Sequence, residues 1–280
     1  MKTLGYYNGV IDELDRMQVP MLDRACYFGD GVYDVSFSRN YKIYALEEHV
    51  SRFFHSAALL RMKPPMEEGE LCSLLRDLVK RLEEDSLWVY FQLSRGTGFR
   101  NHAFPETEKT NLWIMIRPMK IKDTYKPMRC ITMEDTRFYH CNIKSLNLLP
   151  NVLATQATVE AGVEECILHR GETVTECAHS NLSILKDGVL FTHPANEMIL
   201  AGTGRAHLLQ ACRDFGIPIR EECYTLTDLK EADEIIITSA SALCIPVIEV
   251  DGSPVGGKAS DLLRKLQDHL LNLFLRETEA

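Results

Sequence analysis

Apolar and polar positions change period several times along the chain, and each change marks an element. Residues 4–10 read as a strand, with Gly9 at a turn, and residues 32–37 alternate as a half-buried strand does. Before that second strand, Gly29-Asp30-Gly31 marks a tight turn. Residues 46–62 carry Leu46, Val50, Phe53 and Leu59 at helical spacing, with His49 on the same side, and 67–84 predicts a second amphipathic helix. Strands are expected at 87–93 and 112–116. Between them runs a long loop, 94–111, of a length that usually carries function.

The second half continues in mixed order. A strand at 130–133 precedes a helix at 150–161, whose proline sits in the first turn. Residues 165–169 and 172–174 pair around Arg170-Gly171. Residues 182–185 and 189–192 pair across Asp187-Gly188, a strong hairpin signal. A helix at 205–215 stops at Gly216, strands follow at 234–238 and 245–250, and a helix closes the chain at 261–275. No internal repeat interrupts this mixture, so the expected class is a two-domain α+β / α/β protein. The polar stretch 118–127, with its lysines and prolines, reads as a linker. The expected division is 1–118, a linker at 119–127, and 128–280.

Composition narrows the function. The 280 residues are 45% hydrophobic and 25% charged, the profile of a globular protein, and the net charge of −9 argues against nucleic acid as a main partner. Nine scattered cysteines without a Cys-x-x-Cys pair fit reduced thiols better than a disulfide scaffold or a zinc ribbon. No apolar run approaches the roughly 20 residues that span a bilayer. Residues 1–10 lack a secretory pattern, so a cytoplasmic protein away from membranes is expected.

The chemistry centres on Lys144, set between Ile143 and an apolar run. It is either a surface lysine at a helix mouth or a partly buried one. Burial lowers a lysine pKa, and such a lysine serves as a nucleophile or a general base. If it forms a Schiff base with pyridoxal phosphate, three further parts are needed. One is a carboxylate at the pyridine nitrogen, for which Glu176 is the candidate, unless it is a solvated strand end. Another is a phosphate cradle. Gly202-Thr203-Gly204-Arg205 opening a helix and Ser239-Ala240-Ser241 after a strand are candidates, each equally readable as an ordinary turn. The last is a cationic trap for the substrate carboxylate. Arg100-Asn101-His102 in the long loop supplies the right groups, and Arg52, Arg137 and Tyr33 remain open between surface, core and site.

Taken in order, Phe28-Gly29-Asp30-Gly31-Val32-Tyr33, Arg95-Gly96-Thr97 with Arg100-Asn101-His102, Ile143-Lys144-Ser145-Leu146-Asn147-Leu148-Leu149, Val174-Thr175-Glu176, Thr192-His193-Pro194-Ala195-Asn196 and Ile245-Pro246-Val247-Ile248-Glu249 resemble the fold-type IV pyridoxal-phosphate aminotransferases, and the D-amino-acid members most closely. The resemblance implies a small N-terminal and a larger C-terminal α/β domain with the active site between them. It implies Lys144 as the Schiff-base lysine and proton shuttle, and Glu176 at the pyridine nitrogen. Tyr33 would face cofactor and substrate, and Arg52 and Arg137 would lie near the phosphate. Thr203, Gly204, Ser239, Ala240 and Ser241 would form the cradle. Arg100 and His102 would form the carboxylate trap, on a loop that the family supplies from the partner subunit of a homodimer. The implied reaction is ping-pong transamination between a D-alanine-like amino acid and a 2-oxo acid such as 2-oxoglutarate, with no metal. Alternatives are a branched-chain L-amino-acid aminotransferase, an aminodeoxychorismate-lyase-like enzyme, or a cofactor-binding relative without turnover.

Two departures stand out. Cys177-Ala178-His179-Ser180-Asn181 replaces the Gly-Ser-Ser-Ser-Asn common in the family, and Gly204 replaces the threonine of the phosphate turn. Weaker cofactor retention or an altered substrate range is expected, with Gly204→Thr restoring affinity.

Overall fold

The structure, a computed structural model, describes residues 1–106 and 109–280. The chain divides into two units. Unit 1 comprises Met1–Lys120, Ile143–Asn147 and Leu275–Ala280; unit 2 comprises Ile121–Asn142 and Leu148–Phe274. The first segment of unit 1 ends at Lys120, inside the polar stretch 118–127. The short run containing Lys144, read from sequence as part of the second domain, instead belongs to unit 1.

Unit 1 is a sheet covered by helices. Its strands are β1 (Leu4–Tyr7), β2 (Val10–Asp12), β3 (Gly31–Arg39), β4 (Lys42–Ile43), β5 (Leu87–Ser94) and β6 (Asn111–Pro118), in the order β2-β1-β6-β5-β3-β4 with every pairing antiparallel. Leu87, Val89, Phe91 and Leu93 of β5 are all fully buried, while Trp88 and Tyr90 between them are partly exposed. That alternation sends one face to the core and leaves an aromatic face opposite. The register pairs Asp34 with Phe91 and Tyr33 with Gln92. Asp34 therefore shares a face with Phe91, and Tyr33 lies on the other.

The core face is covered by α2 (Leu46–Leu59) and α3 (Glu68–Val79). Both are shorter than the periodicity predicts. Two residues past the end of α2, Arg61 adopts a left-handed φ of 54° that no helix can carry. A capping box between Glu67 and Glu70 starts α3. A short helix too brief for periodicity to show, α1 (Arg24–Phe28), precedes β3. The Asp23 carboxylate caps it by accepting from the Ala25 N–H at 2.9 Å, and Gly29 closes it at φ 59°.

Unit 2 holds β7 (Met128–Glu134), α4 (Leu149–Ala161), β8 (Glu165–Arg170), β9 (Thr173–Cys177), β10 (Asn181–Lys186), β11 (Val189–Thr192), α5 (Thr203–Asp214), β12 (Ile219–Glu221), α6 (Leu226–Glu231), β13 (Glu234–Thr238), β14 (Ile245–Val250), β15 (Ser253–Pro254) and most of α7 (Ser260–Glu277). Its sheet runs β12-β11-β10-β13-β14-β7-β8-β9, with β15 on β14. The pairs β11/β12, β14/β7 and β7/β8 are parallel. The expected class, mixed α/β in two domains, is the one observed. Ile235, Ile236 and Ile237 of β13 are fully buried, as a strand covered on both faces requires. Among the described residues, no helix is long and apolar enough to cross a membrane.

Candidate active site

In unit 1, the run Ile143–Asn147 adds to the start of β3. The Tyr33 N–H donates to the Lys144 carbonyl at 2.9 Å, the Leu146 N–H donates to the Gly31 carbonyl at 3.0 Å, and Val32 and Ser145 form an isolated bridge. Gly31 permits this: a Cβ there would stand 2.4 Å from the Leu93 carbonyl oxygen and 2.7 Å from Leu146. With the backbone fixed, the Lys144 side chain crosses Tyr33. Its Nζ donates to the Tyr33 hydroxyl at 3.4 Å and lies 4.4 Å from the ring centroid. Tyr33 itself stacks on Tyr90 at 5.4 Å, and Tyr90 on Trp88 at 5.3 Å.

Behind this, Arg52 and His49 meet Asp34, which the sequence reading missed. Asp34 is fully buried and accepts from Arg52 at both oxygens (2.8 and 2.7 Å) and from His49 Nδ1 at 2.8 Å. Because an ionised carboxylate only accepts, Nδ1 of His49 carries the hydrogen. Burial opposes ionisation of Asp34, but the Arg52 guanidinium and His49 outweigh it and hold its carboxyl well below the usual range. Burial lowers the His49 pKa against the opposing pull of Asp34. The available signal was a histidine on the apolar side of α2 facing a strand aspartate.

Arg100 and His102 are exposed in the loop after β5, and both lie against Phe28. The guanidinium of Arg100 is 5.0 Å from the Phe28 centroid, and the His102 ring is also 5.0 Å away.

In unit 2, Glu176 lies near the end of β9, and donors converge on its carboxylate. Arg137 Nη1 donates to Oε1, Asn181 Nδ2 donates to Oε2 at 2.8 Å, and the Leu200 N–H reaches Oε2 at 3.2 Å. Arg137 is also bound bidentately by Asp135, at 2.9 and 2.8 Å. Burial works against the charge on Asp135, but the Arg137 hydrogen bonds hold its carboxyl below the usual range. Expected near a phosphate, Arg137 is thus seen beside Glu176. Asp135 and Asn181 are further members of this group that sequence reasoning missed.

Thr203 and Gly204 form the first turn of α5, whose N-cap is Gly202 with no side-chain cap. The loop at 239–241 packs directly on that turn: a Cβ on Gly204 would stand 3.0 Å from the Ser239 carbonyl oxygen. Ser239 Oγ and Ser241 Oγ are 3.5 Å apart, Ala240 lies between them, and the buried Thr238 hydroxyl just before them has no hydrogen-bond partner. The amides of a helix's first turn, with the Ser239 and Ser241 hydroxyls on the loop packed against it, fit a phosphate ester. The departures at 177–179 have partners within unit 2. Cys177 and Ala178 are buried, and His179 Nδ1 lies 2.9 Å from the buried Glu165 carboxylate, which also accepts from Ser180 at 3.0 Å.

The sequence model of class IV aminotransferases matches residues 31–250. The chain belongs to this family. A D-alanine aminotransferase of Staphylococcus haemolyticus is 38% identical over 269 residues, covering 94% of this chain and 95% of the relative. One from Listeria monocytogenes serotype 1/2a (strain 10403S) is 38% identical over 275 residues, covering 96% and 95%. Among solved structures, the T.th. branched-chain amino acid aminotransferase with pyridoxamine 5'-phosphate superposes with a TM-score of 0.90 at 24% identity, covering 99% of this chain and 96% of that one. The Escherichia coli branched-chain enzyme gives 0.89 at 23%, with the same coverage. At those identities the structures speak for the class IV aminotransferase fold alone.

Proposed function

We propose that the protein is a pyridoxal-5'-phosphate-dependent aminotransferase that transfers the amino group of a D-amino acid, D-alanine-like, to a 2-oxo acid such as 2-oxoglutarate. The observation that carries this reading is the Lys144 amine held over Tyr33, in a chain matched nearly end to end by D-alanine aminotransferases. When bound, the cofactor supplies an aldehyde for the amino group and a protonated pyridine ring that takes up electrons from Cα.

The protein's part is binding and proton transfer. Lys144 Nζ takes the Cα proton, and a positioned base of this kind contributes roughly 10²–10⁴-fold. Tyr33 accepts from that amine and limits where it can point. Glu176 would accept the pyridine N–H, its direction set by Arg137, Asn181 and the Leu200 amide. Thr203 and Gly204 amides with Ser239, Ala240 and Ser241 would hold the phosphate. Arg52 and Arg137, each gripped by a carboxylate, would lie near the cofactor phosphate as fixed positive charges. Arg100 and His102 take the substrate carboxylate, since a guanidinium fork with a second donor matches its two oxygens.

A homodimer in the cytoplasm completes this reading. Leu149, Val152, Leu153 and Val159 leave an apolar stripe on α4 more than half exposed, a surface suited to a second copy. Free cysteines fit a reducing compartment.

Borohydride reduction of the loaded protein followed by peptide mapping tests the first claim, with the adduct expected on Lys144. D- and L-alanine offered separately with 2-oxoglutarate test the second. Turnover of the L-form alone would favour the branched-chain alternative, whose members share the fold.

A further inference from the structure

The loop after β5 is stitched to the segment before β3 within unit 1. The Arg24 N–H donates to the Gly96 carbonyl at 2.9 Å, the Gly98 N–H donates to the Leu22 carbonyl at 3.0 Å, and the Tyr27 hydroxyl donates to the Gly98 carbonyl at 2.6 Å. These contacts hold the near end of the loop. Its middle is gripped by a buried side chain.

That side chain is Arg24, 4% exposed. Its Nε donates to Asp30 at 2.8 Å, and its Nη1 donates to the carbonyls of Asn101 at 2.7 Å and Ala103 at 3.3 Å. Those carbonyls stand on either side of His102. The Arg24 guanidinium also lies 4.8 Å from the Phe28 centroid, the same ring that Arg100 and His102 pack against. Asp30 does not drift, because Arg95 Nε binds both of its oxygens at 3.0 and 2.9 Å. A guanidinium is costly to bury unless its donors find acceptors. Here they are directed to loop backbone, at the two positions that bracket one side chain.

We propose that Arg24 is a positioning residue for the substrate carboxylate: it grips the backbone on both sides of His102 and, with Phe28, sets the direction in which His102 and Arg100 are presented. The inference rests on the reading of Arg100 and His102 as the carboxylate trap. An Arg→Lys exchange does not preserve the arrangement, because a compact ammonium lacks the rigid fork that spans Asp30 and two carbonyls.

The test is steady-state kinetics with D-alanine and 2-oxoglutarate on the full-length, cofactor-loaded protein. The variants are Arg24→Gln, Arg24→Lys, the pair Arg100→Met with His102→Ala, and that pair combined with Arg24→Gln. The pair is expected to raise KM for D-alanine about a hundredfold, and Arg24→Gln about tenfold with kcat nearly unchanged, since uniform binding is what is lost. Arg24→Lys falls between wild type and Arg24→Gln. In the background lacking the trap, Arg24→Gln adds nothing, because coupled residues are not additive. An unchanged KM in Arg24→Gln, or an effect of full size without the trap, overturns the inference. A KM unmoved by the pair itself sinks the trap reading, and the inference with it, in a separate measurement. Should Arg24→Gln fail to fold, Phe28→Leu leaves the hydrogen bonds in place, and its KM is expected to rise severalfold; an unchanged KM there counts against the shared ring.

Discussion

The Tyr33 N–H donates to the carbonyl of Lys144 at 2.9 Å while the Lys144 amine donates to the Tyr33 hydroxyl at 3.4 Å. Backbone and side chain of the same two residues are tied together, 111 positions apart in sequence. The lysine is aimed by a strand instead of by its own flexible stem. Tyr33→Phe keeps the ring on Tyr90 and loses the hydroxyl. Turnover is expected to fall about ten- to a hundredfold, the scale of one hydrogen bond to a charged group, with thermal stability little changed. Single-turnover kinetics and a melting curve check this; full activity would mean that the hydroxyl does not aim the amine.

Asp34 carries a prediction about acid. Its folded-state pKa lies below the ordinary value, so its contribution to stability is present above about pH 4 and is lost as pH falls through the folded value. His49 is also depressed, so below about pH 6.5 the unfolded chain binds a proton that the native state does not, and stability drains in the same direction. Urea unfolding from about pH 8 down to about pH 3 should show both declines. Asp34→Asn should cost about 3–5 kcal/mol near neutrality, because it leaves the Arg52 charge without its carboxylate, and should flatten the limb below about pH 4. An unaltered limb would dissociate Asp34 from acid sensitivity.

Gly204→Thr would return a hydroxyl to the phosphate turn, but the fold works against the gain expected of it. The new Cβ would meet the Ser239 carbonyl oxygen at 3.0 Å and the Ser239 nitrogen at 3.2 Å, both backbone atoms. Overpacking of that kind typically costs about 1–3 kcal/mol, which offsets or exceeds the gain of one hydroxyl. The cofactor dissociation constant of Gly204→Thr, from an absorbance titration, should therefore be no lower than that of wild type. A clear tightening would mean that the loop at 239–241 yields readily.

Glu176→Gln removes the charge shared by Arg137, Asn181 and the Leu200 amide. Turnover should fall on the order of 10²-fold or more, comparable to removing an electrostatic partner at a reacting centre, with the cofactor absorbance band shifted. Asn181→Ala should do less, since Arg137 still holds the carboxylate. Equal activity in Glu176→Gln would remove Glu176 from the chemistry.

Much of the architecture was legible in sequence. The alternation in β5 and the Asp187-Gly188 turn between β10 and β11 depend on neighbouring residues alone, and both stand where periodicity places them. Lys144 and Glu176 could be singled out from their neighbours in sequence. Asp34 and His49 did not, because an aspartate in a strand looks solvated until the register places it opposite Phe91 under α2. Arg24 was hidden for the same reason. The carbonyls it reaches lie 77 and 79 residues away, and no local pattern encodes carbonyls that a loop will bring back. The left-handed turn at Arg61 likewise ended α2 where hydrophobic spacing alone would have continued it.

Unit 1 is not contiguous in the chain: it takes back Ile143–Asn147 after unit 2 has begun, and again Leu275–Ala280. During synthesis it therefore cannot be finished when its first 120 residues leave the ribosome. The edge of β3 that receives Lys144 must wait for Ile143–Asn147 to emerge. A fragment cut after Lys120 is expected to be born with an open strand edge, and a circular permutant opened between Asn142 and Ile143 should lose the lysine's anchorage before it loses the sheet.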